Sequence, residues 1–330
     1  MRKTAIVVAG EDFPGARFVT PVFVAAIRQA AGFAEKIVEA SDETLNGILN
    51  QLDDSECALV ISTKTPLIAR EECLRLFDRL DERRRVLFAE RQYGGLIVTD
   101  ARGASNAVAA LRKQKNEELL NQGVLLLDPD RTYIDPDVTI GEGTVIHPNC
   151  TVSGGSTIGR HCVLLPNSRI HASNIANGVT VESSVLTECS VMDDSTIGPF
   201  AYLRPKAVIG RRCRVGDFVE IKNSAIGDDT KVSHLTYVGD SDLGQRINLG
   251  CGVVFVNYDG KKKNRSRVAD DAFIGCNVNL VSPVEVGEGA YVAAGSTVTE
   301  NVPGGALAIA RARQSVKEGW VAARKKEGKL

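Results

Sequence analysis

Between Tyr133 and Thr299 the large aliphatic residues keep a beat of six. Ile134, Ile140, Ile146, Val152, Ile158, Leu164 and Ile170 fall at that interval without a miss. The beat returns at Val185, Val191, Ile197, Leu203, Ile209, Val215 and Ile221, and again at Ile274, Leu280, Val286, Val292 and Val298. In the first series a small or β-branched residue stands four positions further on: Val138, Thr144, Cys150, Ser156, Cys162 and Ser168. Gly commonly follows the large residue, as in Ile140-Gly141 and Ile209-Gly210. Six is neither the period of a strand nor that of a helix. It is the hexapeptide form of a parallel β-helix, in which short strands and turns wind around a prism. The aliphatic points inward, the small residue fits the corner, and each buried aliphatic contributes roughly 1.5–3 kcal/mol.

Two interruptions stand out. Near Ile175–Gly178 the phase slips, so one coil is expected to be irregular. Between Phe255 and Ile274 the beat stops altogether, which predicts a loop projecting from the column. That loop carries Lys261, Lys262, Lys263, Arg265 and Arg267, a charge density suited to an anion.

The first hundred residues follow another pattern. Apolar runs at Thr4–Ala9, Lys36–Glu39, Cys57–Ser62, Val86–Glu90 and Gly95–Val98 read as strands. Amphipathic stretches at Val22–Ala31, Asp42–Leu52 and Arg70–Arg84 read as helices between them. Alternation of this kind predicts a small α/β unit with a mainly parallel sheet. The chain thus divides into an α/β unit (1–103), a linking helix (104–123), the repeat column (124–305) and a basic C-terminal tail (306–330).

Composition narrows the partners. Lys and Arg total 40 against 41 Asp and Glu, so no global field favours nucleic acid. The eight cysteines are scattered without a C-x-x-C pair and read as small core residues of a reducing compartment. A strand starting so near Met1 leaves no room for a signal peptide, and no apolar run reaches the ~18 residues of a spanning helix. The expectation is a cytoplasmic protein without membrane or nucleic-acid partners.

The segments GPFAYLRP (198–205), GDFVEIK (216–222), HLTYVGD (234–240), NYDG (257–260), SPVEVG (282–287) and ARARQ (310–314) resemble one bacterial enzyme family. It is the bifunctional N-acetylglucosamine-1-phosphate uridyltransferase / glucosamine-1-phosphate N-acetyltransferase. The resemblance runs from about Asn116 to Trp320. It implies a left-handed β-helix, a homotrimer, acetyl-CoA as donor and glucosamine 1-phosphate as acceptor. It also implies roles. His234 is the general base and Glu220 the carboxylate that orients it; an ordinary imidazole, with a pKa near 6.5, suits the task. Arg204 and Lys222 contact the phosphate and sugar, while Tyr237, Asn248 and Asn257 hydrogen-bond hydroxyls or the amine. Tyr258, Lys263, Cys276, Ala294 and Arg311 surround acetyl-CoA, with Lys263 and Arg311 reaching its phosphates. From spacing alone His234 would read as a polar rung residue, and the motif decides otherwise. His147, His161 and His171 read as surface rung residues and form no zinc triad, which counts against a metal site.

There are departures. Cys276 stands where the family has Ser, and Cys251 replaces a smaller residue. A thiol is larger than a hydroxyl and a weaker donor, so less stabilisation is expected on the thioester side. In the α/β unit the family's Gly-rich phosphate loop is replaced by residues 8–17, with Glu11 and Asp12 opposing a triphosphate. Lys64 takes the place of a magnesium-binding Asp. These changes imply that uridyl transfer is lost. Two other readings of the column stay open: a related hexapeptide acyltransferase with another amino-sugar acceptor, and a non-catalytic trimeric scaffold that binds a sugar phosphate.

Overall fold

A computed structural model describes residues 2–9, 23–28, 31–32, 34–52, 56–62, 70–80, 86–88 and 101–330. In the N-terminal unit, strands β1 (Arg2–Ala9), β2 (Lys36–Ser41), β3 (Glu56–Ser62) and β4 (Val86–Phe88) pair in parallel in the order β2-β1-β3-β4. Ala5, Val7, Leu59 and Ile61 pack against Ile27 and Phe77 on one face. Ile6, Val8, Ala58 and Val60 pack with Leu45 and Leu49 on the other. Burial on both faces is why β1 and β3 read as continuous apolar runs and not as alternating ones. The strand expected at 95–98 lies outside the described residues, as do Glu11, Asp12 and Lys64.

The rest of the chain is the expected column, a left-handed parallel β-helix. Its strands of two to four residues stack into three parallel sheets of 9, 11 and 10 strands. The aliphatics of the first and third series are all buried, as are their small companions from Val138 to Ser168. The second series needs one correction: the inward residue is Leu186, fully buried, and Val185 beside it is half-exposed. The pairing Ile170↔Leu186 spans 16 residues where Ile140↔Ile158 spans 18, so corners in this coil are short of residues. The beat there runs Ile170, Ile175, Val181, Leu186, Val191, and a strict six places the wrong neighbour inside.

Eighteen non-glycine residues, from Asn149 to Asn277, hold positive φ at corners of the column. Each such residue costs on the order of 1–2 kcal/mol, which backbone bonds to the adjoining coil offset. Leu235 N–H, for example, donates to Asp217 O at 2.9 Å. The loop expected after Phe255 is present. Ser241↔Ser266 spans 25 residues where Ala225↔Asp242 spans 17.

Helix Ala101–Asn121 closes the N-terminal end of the column. Its Leu119 joins the column core, and Asn116 Nδ2 donates to the carbonyls of Pro129 (2.7 Å) and Thr132 (3.1 Å). The tail ends in the short exposed helix Trp320–Lys326. Among the described residues no helix is long and apolar enough to cross a membrane. All eight cysteines are free thiols. Six are buried as expected, but Cys251 is half-buried and Cys276 exposed, because both occupy an outward corner position.

Candidate active site

Two features meet on the column: a corner, and the 10-stranded sheet into which that corner turns. At the corner, Asp217 and His234 are register partners on successive coils. His234 Nδ1 lies 2.6 Å from Asp217 Oδ1. A carboxylate only accepts, so Nδ1 carries a proton, and in the neutral imidazole Nε2 keeps its lone pair. The bond from His234 holds the Asp217 carboxyl below its usual range. The imidazole is about half exposed, so its free nitrogen can meet a substrate.

The partner of His234 is therefore Asp217, and Glu220 is not in that place. Glu220 faces Tyr237 on the next sheet and binds Arg204, Oε1 to Nη1 at 2.7 Å. The spacing carried the signal. One coil here is 17 residues, the separation of Asp217 from His234, whereas Glu220 falls three short. The Glu220 bond raises the Arg204 guanidinium further above its already high range. It uses one of five donors and leaves the others to face outward.

The outer face of this sheet gathers cations. Lys222, one rung above Arg204, lies against Lys263 of the loop, and that neighbour pulls its ammonium below the ordinary lysine range. Arg204 adds to the same depression. Asp240, nearly buried, follows Gly239, the register partner of Lys222 on the next coil. It accepts from Asn223 Nδ2 and, at 2.6 Å, from Asn257 Nδ2. Asn257 Nδ2 also donates to Tyr237 Oη at 3.3 Å, so its Oδ1 is left as an acceptor. Gly239 makes this meeting possible, because a Cβ there would collide with both the Tyr237 hydroxyl and the Asn257 amide. Sequence reading missed Asp240 and Asn223, which carry no charge partner visible along the chain.

The loop is pinned at both ends of its basic stretch. Arg265 grips Asp242 with a two-pronged ion pair and also donates to Asn223 O at 3.0 Å. Asp259 accepts from the backbone N–H groups of Lys262 (2.8 Å) and Lys261 (2.9 Å) and from Asn264 Nδ2. Those bonds lower its carboxyl to about 2. Tyr258 is exposed, bridges to Lys263 and donates its hydroxyl to Gly260 O at 2.8 Å.

The remaining residues continue along the corner. Above His234 come Cys251, Cys276 and Ala294 on successive coils, as the bonds Asn277 N to Cys251 O and Gly295 N to Cys276 O (both 2.8 Å) show. Arg311 Nε donates to Ala294 O at 2.9 Å. Cys276, Ala294 and Arg311 are thus brought together and lie in line with His234. At ~4.8 Å per coil, Ala294 stands about 15 Å from it along the axis. Asn248 belongs instead to the 11-stranded sheet, between Lys231 and Phe273. Beside the corner, Phe200, Phe218 and Leu235 form an exposed apolar ladder, with the two phenyl rings stacked at 5.5 Å.

The bacterial transferase hexapeptide (six repeats) family matches residues 137–172, 188–223 and 265–300. The bifunctional protein GlmU of Acetivibrio thermocellus is 54% identical over 226 residues, covering 68% of this chain and 49% of that one. Over about two thirds of its length the chain is similar to part of GlmU. The GlmU of Clostridium acetobutylicum is 56% identical over 211 residues, 64% of this chain and 46% of its own. The chain spans about half the length of the GlmU proteins it matches. Among solved structures, the Francisella novicida UDP-N-acetylglucosamine acyltransferase overlays 56% of this chain and 67% of its own. The overlay has a TM-score of 0.37 at 15% identity.

Proposed function

We propose that the column is an N-acetyltransferase that moves an acetyl group from acetyl-CoA to the amine of glucosamine 1-phosphate. The observation that carries this reading is the junction itself. A histidine fixed by a carboxylate opens onto a sheet face bearing Arg204, Lys222 and Lys263. Converging like charges at a surface favour a bound anion, and a guanidinium fork with two ammonium groups suits a phosphate monoester. The free Oδ1 of Asn257 and the Tyr237 hydroxyl offer partners for an amine and a sugar hydroxyl.

In this reading His234 Nε2 takes a proton from the acceptor amine as its nitrogen attacks the thioester carbonyl. The C–N bond forms, the tetrahedral centre collapses, the C–S bond breaks, and the proton passes to the departing thiolate. Asp217 keeps the imidazole in the tautomer that can do this. The corner through Cys276, Ala294 and Arg311 would lie along the donor, with Arg311 directed at its phosphates, while Lys263, held beside Lys222, would serve the acceptor's phosphate. The donor would sit between neighbouring columns of a homotrimer. Free thiols throughout suit work in the cytoplasm.

The deciding experiment is a free-thiol assay with acetyl-CoA and a panel of acceptors. Thiol release with glucosamine 1-phosphate, exceeding that with glucosamine 6-phosphate or UDP-linked amino sugars, is the expected result. Preference for another acceptor would move the reading to a related acyltransferase. No release with any acceptor, despite acetyl-CoA binding, would leave a scaffold.

A further inference from the structure

The corner that carries Asp217 and His234 also places two cysteines on adjoining coils. The pairing Leu249↔Ile274 sets Cys251 directly below Cys276. Each precedes a residue of positive φ, Gly252 (78°) and Asn277 (54°), just as Asp217 and His234 precede Phe218 (55°) and Leu235 (46°). The same backbone bond links the coils in both cases, Asn277 N to Cys251 O and Leu235 N to Asp217 O. At the same position on neighbouring coils, Asp217 and His234 bond across the gap at 2.6 Å. Coils ~4.8 Å apart fall within the roughly 4.4–6.8 Å separation of α-carbons that a disulfide spans.

No other cysteine of the column has this arrangement. Cys150, Cys162, Cys189 and Cys213 face Ser168, Val179, Ala207 and Thr230 in the next coil. All four are buried, and burial pushes the Cys189 thiol up to about 11. By contrast, Cys276 is exposed and Cys251 half-buried. Gly250, Gly252 and Gly275 flank the pair and place no side chain beside the sulfurs.

We propose that Cys251 and Cys276 form a dithiol site that a small disulfide such as oxidised glutathione closes, and that closure shuts the donor track beside His234. One cysteine, as thiolate, attacks the disulfide and expels a glutathione thiolate. The second, deprotonated, attacks the protein sulfur of that mixed disulfide and expels the other. Two electrons and two protons leave the pair, and two glutathione thiols are the products. A bridge across the corner ties down the coils along which Cys276 and Ala294 lie. The chemistry of the pair is independent of the proposed acetyl transfer; its effect on turnover rests on that reading.

The test is incubation of the full chain with oxidised glutathione, then alkylation under denaturing conditions and mass spectrometry. Six alkylated thiols of the eight present are expected, with peptides containing Cys251 and Cys276 joined. The oxidised protein should bind coenzyme A at least tenfold more weakly by calorimetry, and dithiothreitol should restore binding. In Cys251→Ala, a stable glutathione adduct at Cys276 should replace the bridge. Eight alkylated thiols, or a lasting adduct on Cys276 of the wild type with Cys251 free, would overturn the pair. A bridged protein that binds coenzyme A unchanged would overturn the shutting of the track. Absence of acetyl transfer by the reduced protein would instead count against the proposed function, leaving the thiol count as it stands.

Discussion

At the scale of single residues, the site separates two carboxylates that the chain sequence runs together. Asp217 holds His234, and Glu220 holds Arg204. Their losses should therefore read differently. His234→Ala is expected to lower acetyl transfer by roughly 10²–10⁴-fold, as for a lost general base. Asp217→Asn should lower kcat with little change in the acceptor KM, whereas Glu220→Gln should mainly raise that KM by freeing Arg204. Steady-state kinetics of the three variants check this, and a kcat defect in Glu220→Gln alone would reverse the assignment. The Asp217 carboxyl is held low, so it is ionised above its ordinary value near 4. The dyad is lost only as pH falls through that lowered value. Most site residues were legible as residue types in the motif segments. What was not legible was which carboxylate meets which base, because that depends on coil length, and three residues along the chain move a side chain to another sheet.

At the scale of elements, coil length is again what the six-residue beat leaves out. The beat identified every inward position of the first and third series, since full corners keep the phase. It failed at Leu186 because a corner can lose a residue while the strands remain stacked. Deleting the inward side chain should cost more than deleting its neighbour. Leu186→Ala is expected to destabilise by about 2–5 kcal/mol, and Val185→Ala by well under half of that. Chemical denaturation of both variants measures the difference; equal losses would restore the original phase. The loop owes its shape to the bonds that Asp259 accepts and to the pairing of Arg265 with Asp242. Asp259, held at about 2, stays ionised at any ordinary pH, and its bonds would be lost only as pH falls toward that value. The Arg265–Asp242 pair fixes the return strand. Being solvent-exposed, it acts on geometry more than on stability.

At the scale of the whole molecule, the column leaves an apolar stripe exposed along one corner. Phe200, Phe218 and Leu235 leave an apolar ladder uncovered immediately beside Asp217 and His234. Light scattering should find a homotrimer at micromolar concentration, and a stable monomer would remove the donor site between columns. The N-terminal unit should not transfer uridylate from UTP to N-acetylglucosamine 1-phosphate, with or without magnesium. Pyrophosphate release that required both substrates would contradict that expectation. Helix Ala101–Asn121 is seated on the first rungs through Leu119 and Asn116. A stack of parallel strands is open at its end, and an open end is a template on which further chains can add. The helix acts as a stopper. A chain begun at Gln122 is therefore expected to keep its coils but join end to end into filaments, visible by electron microscopy, while the intact chain stays discrete.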